Sequence, residues 1–453
     1  MEKDNNPNNS ASFDTAKVEN NTVDQTGNAK KSKKGLIALI VLAVILVGAA
    51  VVAAIILNRE KPEQPNKPIP APVKPSAPFS SDSGLFGVNY FKNAYIAEEH
   101  YKNILISPYS MEAVWQIADR GAAGNTKIQI QNMLGSEREM PEIAGLYSAN
   151  AAFIRETVAD KIKNEFIDSV KGDVIYDSFS SPDTINAWVN QNTNGMIPSV
   201  LNDAPQGDLV LANAVAMEQD WSSEFDCTYT RGEEFTSSNG NKVEAAMMYG
   251  GANYYFKTDN SEGVVRNYKA GEDGNYLEFV AFLPNNSIND YVKDSFESDL
   301  TSFDEKLIAP SRSDEEIVNV NVSLPRFKYD YDVPRLVEMF SKGMGVSDAF
   351  DGSKADFSGI SDETSFYVSN LIQKTFVEMN ETGTRAAAVT AMAIGATAAL
   401  DENKPKEINY YVDLNRPFVY LIRDHNTKEI IFEGVVEDPE LMSNYHDCAE
   451  SEE

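Results

Sequence analysis

The chain has 453 residues, is 42% hydrophobic, and carries 22 Phe and 20 Tyr, enough for one large domain or two ordinary ones. A formal net charge of -30 argues against nucleic acid as a partner, because phosphate binding draws on basic surface. Two cysteines, Cys227 and Cys448, exclude a disulfide scaffold, and the histidines His100, His425 and His446 lack metal-ligand spacing, so neither metal nor cofactor is expected.

In chain order, residues 1–35 are Asn-rich, of mixed charge and aperiodic, and read as a disordered segment. Leu36–Leu57 is an uncharged apolar run, long enough to span a bilayer core of about 30 Å. Lys30, Lys31, Lys33 and Lys34 precede it and outnumber the basic residues that follow. The positive-inside rule then keeps residues 1–35 cytoplasmic and puts the rest outside, as a single-pass membrane protein. The competing reading is secretion after signal cleavage, with a leader longer and more apolar than usual. Residues 58–80 hold Pro62, Pro65, Pro68, Pro70, Pro72, Pro75 and Pro78, the spacing of an extended spacer. Residues 81–439 are globular in composition, without an internal break or a fixed-period repeat. Residues 440–453 form an acidic tail, read as loose. A bridge between Cys227 and Cys448 stays open, since sequence does not place two Cα atoms within bonding range.

Within the globular part, Ser83–Tyr101 has the periodicity of an amphipathic helix. Ser110–Leu134 carries helical signals around Gly121 and Gly124, with Asn125-Thr126 as a helix start. Leu209–Glu218 and Tyr276–Leu283 are apolar runs of strand length. Ile317–Leu324 alternates through Val318, Val320, Val322 and Leu324, as a half-buried strand does. Phe418–Ile422 and Ile430–Val436 flank Asp424-His-Asn-Thr427, a hairpin signal. Helices first and many strands later give an α+β class with large sheets.

Glu381–Leu400 is small-chained and nearly uncharged. Its Ala content suits a buried helix. At period 2, both faces are slim enough for a strand that slides between two others.

The surrounding motifs bear on that choice. Asn103-Ile-Leu-Ile-Ser-Pro-Tyr-Ser-Met111, Gly121-Ala-Ala-Gly-Asn-Thr126, Ile185-Asn-Ala-Trp-Val189 and Gly195-Met-Ile-Pro198 follow one another in order. Asn213-Ala214, Trp221, Phe225, Phe235, Met247-Met-Tyr249, Leu324-Pro-Arg-Phe327, Ala355-Asp-Phe-Ser-Gly-Ile360 and Asn415-Arg-Pro-Phe418 continue the series. In joint order and spacing the chain resembles the serpins across essentially all of residues 82–439. The resemblance implies a large central mixed β-sheet, two further sheets, surrounding helices and an exposed reactive-centre loop at about 383–407.

Glu378-Met-Asn-Glu-Thr-Gly-Thr384 is similar to the hinge of that family, and Ala386-Ala-Ala-Val-Thr390 to the small-residue run of its inhibitory members. Arg385 departs from the usual Glu, and Val389 from the more usual Ala. The implied hinge is Glu381, Gly383, Thr384, Ala386, Ala387, Ala388, Val389 and Thr390, with Gly383 as pivot because it lacks a Cβ. The implied breach, where insertion begins, groups Trp221, Arg326 and Glu381. The implied shutter, which controls sheet opening, groups Ser107, Ser110, Asn213 and Gln373, the last standing where the family often has His. The plainer readings are a surface carboxylate for Glu381 and helix capping for the serines.

Such a protein is not an enzyme but a monomeric suicide inhibitor: a target serine protease cuts the loop, and the loop then inserts as a strand and traps the acyl-enzyme. Counting from Gly383 puts the reactive bond at Thr397–Ala398, within a residue or two, because the segment up to Pro417 is longer than usual. Ala396 and Ala398–Leu400 are small or aliphatic, which suits an elastase-like or subtilisin-like pocket. A trypsin-like target needs Lys404 or Lys406. An inhibitor of cysteine proteases and a non-inhibitory surface binding module are the remaining readings of the same resemblance. A hydrolase is disfavoured, since no G-x-S-x-G elbow is present.

Overall fold

A computed structural model describes residues 86–384 and 405–445, apart from 99–100, 136–139, 141–142, 144 and 171. The expected cytoplasmic segment, membrane anchor and Pro-rich spacer lie outside the described residues. Among the described residues, no helix is long and apolar enough to cross a membrane. The strands run in chain order as β1 (Ile104–Ile106), β2 (Leu146–Arg155), β3 (Val174–Asp177), β4 (Leu209–Met217), β5 (Gln219–Asp220) and β6 (Arg231–Thr236). There follow β7 (Lys242–Gly251), β8 (Tyr254–Lys257), β9 (Ser261–Asn267), β10 (Leu277–Pro284), β11 (Ser311–Arg312) and β12 (Glu316–Pro325). The last are β13 (Phe327–Asp332), β14 (Asn370–Met379), β15 (Gly383–Thr384), β16 (Lys406–Asp413), β17 (Phe418–Asp424) and β18 (Ile430–Val436).

These strands form three sheets, as the α+β reading expects. The largest runs β3-β2-β4-β14-β15-β5, with β13 also on β14. β4 is buried at every residue. Its uncharged run Leu-Val-Leu-Ala-Asn-Ala-Val-Ala-Met is what a central strand covered on both faces requires. A second sheet runs β1-β18-β17-β10-β9-β8, and a third β11-β12-β7-β6 with β16 parallel on β12. The alternation expected for Ile317–Leu324 is present in β12, where Val318, Val320, Val322 and Leu324 are buried. The expected hairpin is the antiparallel pair β17 and β18.

The helix Phe86–Ala97 lies within the expected Ser83–Tyr101. The signals over Ser110–Leu134 resolve into two helices, Pro108–Gly121 and Gly124–Leu134. Ser107 caps the first by accepting from the Ser110 amide, and Pro108 opens it without losing a bond. Between them Ala122 and Ala123 are extended, and the chain packs closely at this point. A Cβ on Gly359 would lie 2.6 Å from the Gly121 carbonyl oxygen, so two of the sequence motifs pack backbone to backbone. The second helix begins at Gly124, one residue before the expected start at Asn125-Thr126, and the Thr126 hydroxyl accepts from the Asp356 amide at 2.9 Å.

The main core fills the space between the sheets and the helices Phe86–Ala97 and Pro108–Gly121. A smaller cluster packs the helix Asp183–Asn192 on the opposite face of the large sheet through Ile185 and Val189. It spans Ala151 and Phe153 of β2, Val210 and Ala212 of β4, and Ile372 of β14. That helix therefore covers the face of the sheet formed by β2 and β4, one strand in from β14.

One core position is a liability. Glu433 on β18 is fully buried, and neither carboxylate oxygen has a hydrogen-bond partner. Burial pushes its pKa up to about 8. The folded chain then holds a proton that the unfolded chain releases above its ordinary value of 4.5. The contribution of Glu433 to stability is accordingly fully present below about pH 4.5 and falls by a few kcal/mol as pH rises to about 8. Thermal melts should show Glu433→Gln close to wild type at pH 5 and clearly more stable at pH 8. Equal melting at pH 8 refutes this reading.

Candidate functional site

The functional geometry centres on a seam in the large sheet. β4 and β14 pair in parallel from Val210↔Asn370 to Ala216↔Phe376. Beyond this the chain after β4 leaves β14, and Gly383–Thr384 fills the wedge. Thr384 pairs with Met379 of β14 on one side and with Gln219 of β5 on the other. The first two residues of the expected loop are thus already strand. The loop also ends earlier than expected, because Lys406 opens β16. Its amide donates to the Glu315 carbonyl at 2.8 Å, so Lys406 is part of a strand rather than bait.

Packing gives Gly383 a further reason to be glycine, besides the expected pivot. It is not among the residues of positive φ. A Cβ there would sit 2.2 Å from the Gln219 carbonyl oxygen and 2.7 Å from the Asp220 Cα. Backbone is pressed on backbone, and only hydrogen fits. Thr384 is fully buried, and its hydroxyl lies 2.7 Å from that of Tyr268.

The breach residues converge. Arg326 sits between β12 and β13, where the chain crosses from the third sheet to the largest. Its Nη1 donates to a Glu381 carboxylate oxygen, and its Nε to Glu440 at 3.0 Å. Burial alone would lower the Arg326 pKa, but the two carboxylates outweigh it and hold the guanidinium above its ordinary value. Glu381 is not a surface carboxylate: it is buried and also accepts from the Thr230 hydroxyl at 2.6 Å. The Trp221 amide donates to the Thr382 carbonyl at 2.8 Å, and its indole N–H to the Asn380 carbonyl at 3.0 Å.

Trp221 in turn stacks on Tyr268 at 4.5 Å. Arg266 lies over the rings of Trp221 and Phe225, at 4.9 and 3.8 Å from their centroids. It donates to the Gly251 and Ser223 carbonyls, and burial pushes its pKa down to about 9.

The shutter is one hydrogen-bonded cluster beneath the seam. The Gln373 amide donates to the Asn213 side chain and to the Ser107 carbonyl, each at 3.0 Å. Its oxygen accepts from the Ser107 amide at 3.1 Å and from the Tyr90 hydroxyl at 2.9 Å. Asn213 donates to the Asn150 side chain at 2.8 Å. The Ser110 hydroxyl lies 2.8 Å from that of Ser148. Ser107 both caps its helix and belongs to the cluster, so the two readings of it are compatible.

Arg385, the run Ala386–Thr390 and the reactive bond at Thr397–Ala398 lie outside the described residues. Tyr90, Asn150, Tyr268 and Arg266 are site residues that sequence reasoning missed. None stands in a motif, and each is recruited from an element distant in the chain. The acidic tail, read as loose, is packed over its first residues: the Glu440 amide donates to the Arg326 carbonyl at 2.8 Å, and Met442–Asn444 form a 3-10 turn. Cys227 is disulfide-bonded. Cys448, the other cysteine of the chain, lies outside the described residues.

The site thus combines three sheets, a parallel seam with a polar cluster beneath it, and Gly383–Thr384 seated at the open end of that seam. The family model for serpins (serine protease inhibitors) matches residues 82–439. The chain belongs to the serpin family, a family of protease inhibitors rather than enzymes. An uncharacterized serpin-like protein of Methanosarcina mazei is 31% identical, covering 76% of this chain and 83% of its own length. The leukocyte elastase inhibitor of Xenopus tropicalis is 29% identical, covering 74% of this chain and 93% of its own. Among solved structures, the thermophilic serpin tengpin in its native state superposes with a TM-score of 0.66 at 29% identity, covering 78% of this chain and 92% of its own.

Proposed function

We propose that the chain is a membrane-anchored, extracellular suicide inhibitor of elastase-like or subtilisin-like serine proteases. The observation that carries this reading is the seated hinge: Gly383–Thr384 stands in the wedge between β14 and β5, at the open end of the β4–β14 seam. The slim run Ala386–Thr390 follows it directly and can extend the strand without voids or clashes.

In the proposed reaction the serine hydroxyl of the protease attacks the carbonyl carbon of Thr397. The bond to the Ala398 nitrogen breaks, and that nitrogen leaves with the proton that the protease took from its serine. The severed strand then parts β4 from β14, displaces the helix Asp183–Asn192 and carries the ester-linked protease with it. Each new ladder bond is worth about 0.5–1.5 kcal/mol, so about a dozen give on the order of 10 kcal/mol. The uncut fold is therefore metastable and held by a barrier.

The small side chains of Ala396 and Ala398–Leu400 fit a shallow pocket. The name of the Xenopus relative points to the same protease class. Leu36–Leu57 and the Pro-rich spacer supply the tether, and the disulfide of Cys227 suits an oxidising compartment.

Incubation with elastase and with subtilisin tests the reading. A 1:1 complex that survives SDS is expected, with mass spectrometry placing the cut at or beside Thr397–Ala398. Clean cleavage without a complex, for every serine protease of small-residue specificity tried, overturns it.

A further inference from the structure

Residues beyond the family match take part in the entrance to the sheet. Glu440 is the first residue after the matched segment, and it is bound to Arg326 by backbone and side chain together. The Arg326 amide donates to the Ala246 carbonyl, the Ala246 amide to the Glu440 carbonyl, and the Glu440 amide to the Arg326 carbonyl, at 2.8–2.9 Å. The Glu440 carboxylate takes Nε, leaving Nη1 turned to Glu381. Tyr445 closes the arrangement: its ring lies 5.2 Å from the Arg326 guanidinium carbon, and its hydroxyl donates to the Cys227 carbonyl at 3.3 Å.

The guanidinium is thus fixed from two sides before it meets the hinge. A planar fork held at one nitrogen by a carboxylate and across one face by a ring has little freedom to turn. The contacts are largely shielded, with the Arg326, Glu381 and Glu440 side chains 18%, 9% and 22% exposed, so bulk screening does not erase them.

We propose that Glu440 and Tyr445 are positioning residues for loop insertion: they hold Arg326 against Glu381 and so set how readily the mouth of the sheet opens. The proposal rests on the inhibitor reading above. It assigns the tail a part in controlling the barrier and no contact with the protease.

The test uses full-length protein and four variants, Glu440→Gln, Glu381→Gln, the two combined, and Tyr445→Ala, all of which keep both cysteines. Uncleaved protein is held below its melting temperature, and conversion to the inserted form is followed by native gel and by loss of complex formation. Glu440→Gln and Tyr445→Ala should each convert about threefold faster than wild type. The double variant should convert no faster than Glu381→Gln alone, because both act through Arg326. The loop-cleaved forms should all melt together.

Unchanged conversion in Glu440→Gln overturns the proposal, as do additive effects in the double variant. A merely structural tail would instead lower the melting of cleaved and uncleaved forms alike without changing conversion, and that outcome also overturns it. If cleaved wild type shows no gain in melting temperature, the inhibitor reading fails on its own, whatever the variants do.

Discussion

Replacing Thr384 by arginine should convert the inhibitor into a plain substrate. Thr384 is fully buried between β14 and β5, and its hydroxyl is satisfied by Tyr268. A guanidinium in that slot would lose its water among Met379, Tyr268 and the sheet backbone, and it would not neutralise. The penalty is several kcal/mol even after relaxation. It falls on the seat that Thr384 already occupies in the uncut chain, so the hinge is expelled from the wedge and the cut loop must bury the guanidinium in order to enter; the exposed bond is untouched, so the protease still cuts. At about 1.4 kcal/mol per decade, insertion should slow at least about a hundredfold, and deacylation then outruns trapping. On SDS gels the complex should vanish while cleaved chain accumulates. Thr384→Ser, which keeps the hydroxyl, should still trap. A Thr384→Arg variant that traps as well as wild type would mean that the loop does not enter through this wedge.

Cutting the loop should raise the melting temperature sharply. Before cleavage, Gly383–Thr384 is the part of the loop that is described as strand in the large sheet. After cleavage the following residues can pair along both β4 and β14, which now pair with each other over Asn370–Phe376. A gain on the order of 10 kcal/mol, spread over the unfolding entropy of a domain this size, corresponds to about 10–20 °C. Calorimetry before and after limited proteolysis measures it. An unchanged melting temperature counts against insertion and leaves the seated hinge without a consequence.

The polar lock beneath the seam bears on both results. Gln373 of β14 joins Asn213 of β4 to Ser107 at the head of a core helix, and parting the two strands breaks that link. In the proposed function, loop entry would have to offset the loss of these buried hydrogen bonds, which would add to the barrier holding the uncut chain. Gln can fill each partner without titrating, so this lock should not respond to pH as an imidazole would.

Much of this site is legible in the sequence as residues but not as reasons. The motif around Leu324-Pro-Arg-Phe327 and the hinge motif name Arg326 and Glu381, and the structure joins them. The pivot glycine is legible too, but one reason for it is not: its neighbour is the Gln219 carbonyl, on a strand more than a hundred and sixty residues earlier, and no local pattern reports that approach. Tyr268 and Arg266 are not legible. An aromatic and a cation at the end of a strand read as ordinary sheet residues until Trp221 and Thr384 arrive from elsewhere. Glu440 reads as part of a solvated acidic tail, because charge density alone favours water; its backbone bonds to the domain depend on where Arg326 and Ala246 have already been placed.

The sequence by itself determined the family, the α+β class, the strands with clean patterns, and the small-residue run that an inserting strand needs, since side-chain size and periodicity are local properties. Only the tertiary structure decided where β14 parts from the chain after β4, that the hinge already occupies that gap, and that Arg326 is shared by the hinge and the tail. Those are contacts between segments far apart in the chain. They are set by how the sheet closes its backbone hydrogen bonds and buries its charges, and no stretch of residues carries that balance alone.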